Sequence, residues 1–215
     1  MKGLILKDLY TLRQMGKIYL ICMVCLVIWG LVTDNPTMLS SLLLVYGLML
    51  LITTAAYDEA SHFNRYALTL PLTPKKLVQA KYLFALLLFA VMVTLGILGG
   101  AGMLAVLGAK AEMGYGELLA STCSISCIYL MTIVFILPCI YKFGVEKSRF
   151  LFMATYLLVF AGFALMFSID NMKTWLSGLS DRGFLSIGAV FGALAIVGLI
   201  VSYHISIRIV ENKEW

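Results

Sequence analysis

Charge is scarce in this chain: only 13% of its 215 residues are Asp, Glu, Lys or Arg, about half the share of an ordinary soluble domain. The long apolar stretches contain none at all. Proton- and ion-coupled carriers need ionisable groups at membrane depth, so any transport by this chain has to draw its energy from outside it. Catalytic signatures are missing as well. No G-x-x-x-x-G-K-[ST] sequence occurs, hence no phosphate cradle of that kind, and ATP hydrolysis belongs to another polypeptide. The two histidines, His62 and His204, lie in different segments and form no H-E-x-x-H, which argues against an intramembrane metalloprotease. The five cysteines are an odd number and sit almost wholly inside apolar runs, unlike a secreted disulfide framework. Cys22 with Cys25 and Cys123 with Cys127 have metal-like spacing, but cysteines in such runs ordinarily serve as small hydrophobes; no metal or other cofactor is expected in this chain. The net charge of +5 is dispersed over short segments, so the basic face of a nucleic-acid binder is absent too.

What is present is apolar surface. Hydrophobic residues make up 62% and the mean hydropathy is +0.99. A chain this short leaves roughly a third of its unfolded surface exposed however it folds, so much of that surface must meet lipid. Crossing about 30 Å of hydrocarbon takes around 20 helical residues, and a strand would need only about 9–11. Backbone groups in lipid must be satisfied within the segment. The expectation is therefore an all-α integral membrane protein, one transmembrane domain over 1–215. An interfacial helix at 1–16 precedes six spans at about 18–33, 36–57, 74–109 (including a cytoplasmic extension), 118–141, 150–169 and 183–207. The first run, closed by Thr33-Asp34-Asn35-Pro36, has no small-residue cleavage pattern and is expected to stay as an anchor.

Basic residues set the orientation. The N-terminal tail, Asp58–Lys81, Lys142–Arg149 and the tail from Arg208 carry 13 of the 16 Lys and Arg. Such residues accumulate on the cytoplasmic side, which predicts both termini inside. Gly96 with Gly100, and Gly188 with Gly192, give the small-residue spacing of close helix packing, within the chain or in a dimer. Pro138 removes one helical hydrogen bond from the fourth span.

Two cytoplasmic segments carry more. In the tail Met1–Lys17, Leu4, Ile5, Leu9, Leu12 and Met15 fall on one side of a helix and Lys2, Lys7, Asp8, Thr11, Arg13 and Gln14 on the other, an amphipathic pattern suited to the membrane interface. In the loop Asp58–Lys81, a helix of about three turns is expected to open on Asp58-Glu59, where acidic residues suit the positive end of its dipole, and to stop at Pro71. Thr73 then caps a second helix with Pro74 in its first position, running unbroken through Lys81 into the third span.

The order of acidic pair, short amphipathic helix, Leu70-Pro71-Leu72-Thr73-Pro74-Lys75-Lys76, Leu77-Val78 and Lys81-Tyr82 resembles the loop between the second and third spans of ABC-2-type transporter permeases. The opening Met1-Lys2-Gly3-Leu4-Ile5-Leu6-Lys7-Asp8-Leu9 is similar to the start of small bacterial members. Within the family, the nearest likeness is to membrane subunits of phenol-soluble-modulin exporters. The resemblance implies a bacterial plasma-membrane permease that pairs with a second permease, identical or similar. It also implies two separate ABC ATPase subunits holding ATP and Mg. The short helix would be the coupling helix, with Glu59, His62, Phe63, Arg65 and Tyr66 against the ATPase; an aromatic-plus-Arg cluster also has the composition of an interface anchor.

In such transporters the second and fifth spans line the pathway, which here singles out Tyr46 and Thr53 with Phe152, Tyr156, Phe160 and Phe163. Rings and thioethers adapt to apolar or amphipathic cargo, so export of such molecules, peptides first, is the expected function. The same residues equally suit lipid-facing and packing surface. The competing class is a non-transporting membrane anchor or assembly factor, which would have no need of a stoichiometric ATPase.

Overall fold

The computed structural model describes residues 2–14, 16–69, 73–107, 114–167 and 181–212, without the side chains of Lys2, Arg65, Leu68, Leu107, 158–160, 162–167 and 181–189. Every described element is a helix: α1 (Lys2–Gln14), α2 (Gly16–Val32), α3 (Pro36–Ala60), α4 (Phe63–Thr69), α5 (Pro74–Leu107), α6 (Tyr115–Phe143), α7 (Val145–Phe167) and α8 (Asp181–Asn212). Four of them, α3, α5, α6 and α8, are long and apolar enough to cross a bilayer. Helix α2 has 17 residues, about 26 Å at 1.5 Å per residue, and its axis makes an angle of 74° with that of α1. Helix α7 has 23 residues, but the side chains of much of its second half lie outside the description. The chain is a multi-pass membrane protein, with bands of exposed apolar side chains such as Leu98, Val106, Phe150 and Leu157 where a soluble protein would be polar.

The helices begin and end for local reasons. Asn35 is extended and its side chain accepts from the backbone N–H groups of Thr37 and Met38, while Pro36 takes the first helical position of α3. At α5, the Thr73 carbonyl accepts from the N–H of Lys76 and of Leu77, and Pro74 opens the helix as the sequence predicts. Helix α6 closes on Gly144, whose φ of +84° is open to glycine and strained for other residues.

The core is the seam of α3, α5, α6 and α8, built around Leu44, Leu51, Phe84, Ile133 and Leu137, each nearly inaccessible. Glycines let backbones approach there. A Cβ on Gly96 would stand 3.2 Å from Ser40 Cβ, and one on Gly100 would stand 2.9 Å from Leu118 Cδ1. This pair therefore serves packing within the chain. Gly192 has only Cys127 Sγ nearby, at 3.8 Å, and the surroundings of Gly188 are outside the described side chains.

Pro138 has a specific consequence. Having no N–H, it leaves the Val134 carbonyl without its helical donor, and Ser202 Oγ of α8 donates to that oxygen at 2.7 Å. Ser202 Oγ also lies 2.6 Å from Tyr82 Oη of α5, which is 2.9 Å from Ser206 Oγ. With the Ser202 proton committed to Val134, Tyr82 donates to Ser202 and accepts from Ser206. A defect in one helix thus becomes a tie among three.

Candidate functional site

One end of the bundle gathers α1, the C-terminal turns of α3, α6 and α8, the whole of α4 and the N-termini of α5 and α7. Four charged side chains meet there in a ring. Lys7 Nζ is 3.1 Å from Asp8 Oδ1 and is hydrogen-bonded to Asp58 Oδ1. Lys81 Nζ is 2.7 Å from Asp58 Oδ2 and 3.3 Å from Asp8 Oδ1. Each lysine bridges both carboxylates, so the group is neutral. It is also shielded: the side chains of Asp8, Lys81 and Asp58 are 4%, 9% and 13% exposed, and Lys7 27%. Beside it lies a cavity of about 30 Å³ lined by Asp8, Asp58, Lys81, Phe63 and Tyr141 among others, the scale of one or two water molecules.

This ring corrects two expectations. The amphipathic pattern puts Asp8 on the polar side of the N-terminal helix, yet it is buried against α3 and α5, where Lys81 meets it. Leu6, Leu9 and Tyr10 face outward in its place. Asp58 and Glu59 were expected to open the short helix, yet both lie in the last turn of α3. A carboxylate at a helix C-terminus opposes the dipole, and each is compensated from elsewhere. Asp58 has Lys7 and Lys81; Glu59 reaches α7, where its Oε2 accepts from the N–H of Val145 at 2.5 Å. Glu59 therefore caps the positive end of another helix, against Gly144, where a Cβ would stand 2.5 Å from Glu59 Oε1.

The chain turns after Ser61, whose hydroxyl donates to the Tyr57 carbonyl at 2.7 Å. His62 takes a φ of +49°, the left-handed region that histidine tolerates better than most residues. Helix α4 then starts at Phe63, five residues later than the acidic pair suggested. Its inner face is pinned: Ala67 is fully buried, and Lys7 Nζ sits 3.7 Å from the centre of the half-buried Phe63 ring. Outward lie His62, in the turn before α4, and Tyr66 and Thr69 on the helix itself, all exposed, Tyr66 at 61%.

Of the five residues expected to meet a partner, His62 and Tyr66 are presented outward, while Glu59 and Phe63 are engaged with their own chain. The Arg65 side chain and residues 70–72, including Pro71, lie outside the description. No sequence signal exposed the ring, whose members are 51, 23 and 73 positions apart. The nearest hint was an acidic and a basic residue at the mouths of otherwise uncharged spans.

The expected pathway residues are placed as follows. Tyr46 is buried and its hydroxyl donates to the Tyr19 carbonyl at 2.6 Å, tying α3 to α2. Thr53 is half-buried and donates back to the Met49 carbonyl at 2.7 Å. On α7, Phe152 and Tyr156 are in ring contact at 4.4 Å, and the Tyr156 hydroxyl is hydrogen-bonded to Thr132 of α6. The side chains of Phe160 and Phe163 lie outside the description. Among the described residues, no hydrogen bond or ring contact joins the α3 pair to the α7 pair.

Comparison with curated proteins and with solved structures yields no match. Comparison with protein families yields one described as "ABC-2 family transporter protein", matching residues 3–211 and so every helix above. That span takes in the ring, the pinned short helix and the apolar bundle together, and the chain belongs to the ABC-2 transporter family.

Proposed function

We propose that this membrane component of an ABC transporter is the permease subunit of an ATP-driven exporter in a bacterial plasma membrane. In this reading it spans the bilayer six times, with α2 and α7 joining the four long apolar helices, and both termini are cytoplasmic. Helix α1 lies along the inner interface. A second permease completes the conduit, and two separate ATPase subunits bind ATP and Mg. The cargo is hydrophobic or amphipathic, peptides first, in keeping with the Phe- and Met-bearing α7 and the likeness to phenol-soluble-modulin exporters.

The observation that carries the proposal is the seating of α4. A lever transmits force only if it cannot slip on its own base, and α4 is fixed to the bundle by buried Ala67 and by Phe63 against Lys7. The preceding turn of α3 is pinned to α7 through Glu59. What remains outward is Tyr66 beside His62, and tyrosine is among the residues in which interface hot spots concentrate.

The test is purification of the tagged full-length chain from its native host. A nucleotide-hydrolysing subunit should co-elute in stoichiometric amount. Tyr66→Ala together with His62→Asn, which respects the left-handed backbone, should weaken that association by about thirtyfold or more, as loss of a hot spot of about 2 kcal/mol implies. The variant should melt like the parent. Retention of the ATPase by the variant, or its absence from the parent, would refute the docking role. Labelling of α4 from the external face would be equally fatal.

A further inference from the structure

Between the C-terminal ends of α6 and α8 runs a shallow, open groove of about 660 Å³. Its lining is graded along the bundle axis. The inner part is apolar, with Pro138 and Cys139 of α6 facing Ile205 of α8. Nearer the bundle end the basic and polar groups enter, Lys142 of α6 and Arg208 and Asn212 of α8, with Phe143 and Ile209 continuing the apolar wall beside them. Both basic residues are exposed, and among the described residues neither has an ion-pair partner. The nearby Glu211 instead lies 4.0 Å from Lys75 of α5. Lys142 Nζ stands 5.1 Å from the centre of the Phe143 ring.

Two cations without an ion-pair partner among the described residues, beside apolar side chains on helices that face lipid, match one ligand in charge and in order. We infer that the groove holds an anionic phospholipid, its phosphate between Lys142 and Arg208 and an acyl chain against Pro138 and Ile205. Basic pockets between membrane helices bind acidic headgroups by this chemistry. A soluble anion would make no use of the apolar floor, and a zwitterionic lipid would present the cations with no net charge. In the orientation proposed above the site belongs to the inner leaflet, and only that leaflet assignment rests on the functional reading.

The experiment is native mass spectrometry of the purified full-length chain, delipidated in detergent and then exposed to dioleoyl phosphatidylglycerol or dioleoyl phosphatidylcholine. The parent should retain one phosphatidylglycerol and no phosphatidylcholine. At about fivefold in affinity per basic residue, Lys142→Gln or Arg208→Gln should each weaken retention about fivefold and the double variant about 25-fold. Lys147→Gln with Arg149→Gln removes equal charge from α7 and should leave retention unchanged. The proposal fails if this control loses as much as the groove variant, or if the groove variant binds like the parent. It fails too if the parent retains no anionic lipid, or if inorganic phosphate displaces the lipid as well as phosphatidylglycerol does. No ATPase is present in this assay, so its failure and that of the docking test are independent.

Discussion

Replacing Lys81 by Met tests whether the ring of charges at the head of the bundle is a coupled unit. The substitution keeps much of the buried stem and removes the ammonium that lies 2.7 Å from Asp58 and 3.3 Å from Asp8. Two carboxylates are then left to share Lys7, and the group goes from neutral to net negative with side chains only 4% and 13% exposed. Breaking a buried pair costs about 3–5 kcal/mol. Lys7 still contacts both oxygens and is partly solvated, which places the expected loss at the low end, about 3 kcal/mol. For a chain of this size that is a fall of about 6–12 °C in melting temperature. Asp58→Asn should cost a similar amount by leaving the opposite excess. The double variant restores neutrality, so its loss should fall short of the sum by about 2–3 kcal/mol. Thermal melts in one detergent, followed by tryptophan fluorescence, measure all three. Additivity within about 0.5 kcal/mol would refute the ring as a unit. Neutrality is the point, since intact buried ion pairs contribute little net stability compared with apolar residues that fill the same space.

Three further outcomes follow from single contacts. Ser202→Ala strands the Val134 carbonyl and deprives Tyr82 of its acceptor, costing about 1–2 kcal/mol by thermal melt; in a Pro138→Ala background, where residue 138 regains an N–H, the loss should shrink to less than half. Gly144→Ala meets both an unfavourable φ of +84° and the Glu59 carboxylate at 2.5 Å, and should cost about 1–3 kcal/mol, whereas Gly102→Ala, with nothing within 4 Å, should cost nothing in the same melt. Tyr46→Phe removes the bond to the Tyr19 carbonyl and should cost about 1 kcal/mol, with faster amide exchange confined to the α1–α2 segment.

Uncharged length located the interiors of the long helices, and local capping extended the third span back to Pro74. Stretches expected at 36–57, 74–109 and 118–141 correspond to helices at 36–60, 74–107 and 115–143. The Thr73–Pro74 start was legible because capping is decided by adjacent residues. The end of α3 was not. Local dipole reasoning assigned Asp58 and Glu59 to a helix start, and what overruled it comes from far along the chain: Lys7, Lys81 and the N–H of Val145. The same holds for Asp8, whose helical face looked polar until a buried lysine was supplied from α5. Phe63 illustrates the limit for the candidate site. Its composition suits an interface, but only the fold reveals that the ring is occupied by Lys7. Pro138 was visible as a break, while its acceptor's new donor, 68 positions away, was not.

The charge ring also dates events in the life of the chain. Asp8 leaves the ribosome 73 residues ahead of Lys81, so during synthesis Lys7 and Asp8 have only each other until Asp58 arrives at the end of α3. The ring closes only when α5 brings Lys81 to both carboxylates, so a chain cut before Lys81 leaves Asp8 and Asp58 to share Lys7 alone.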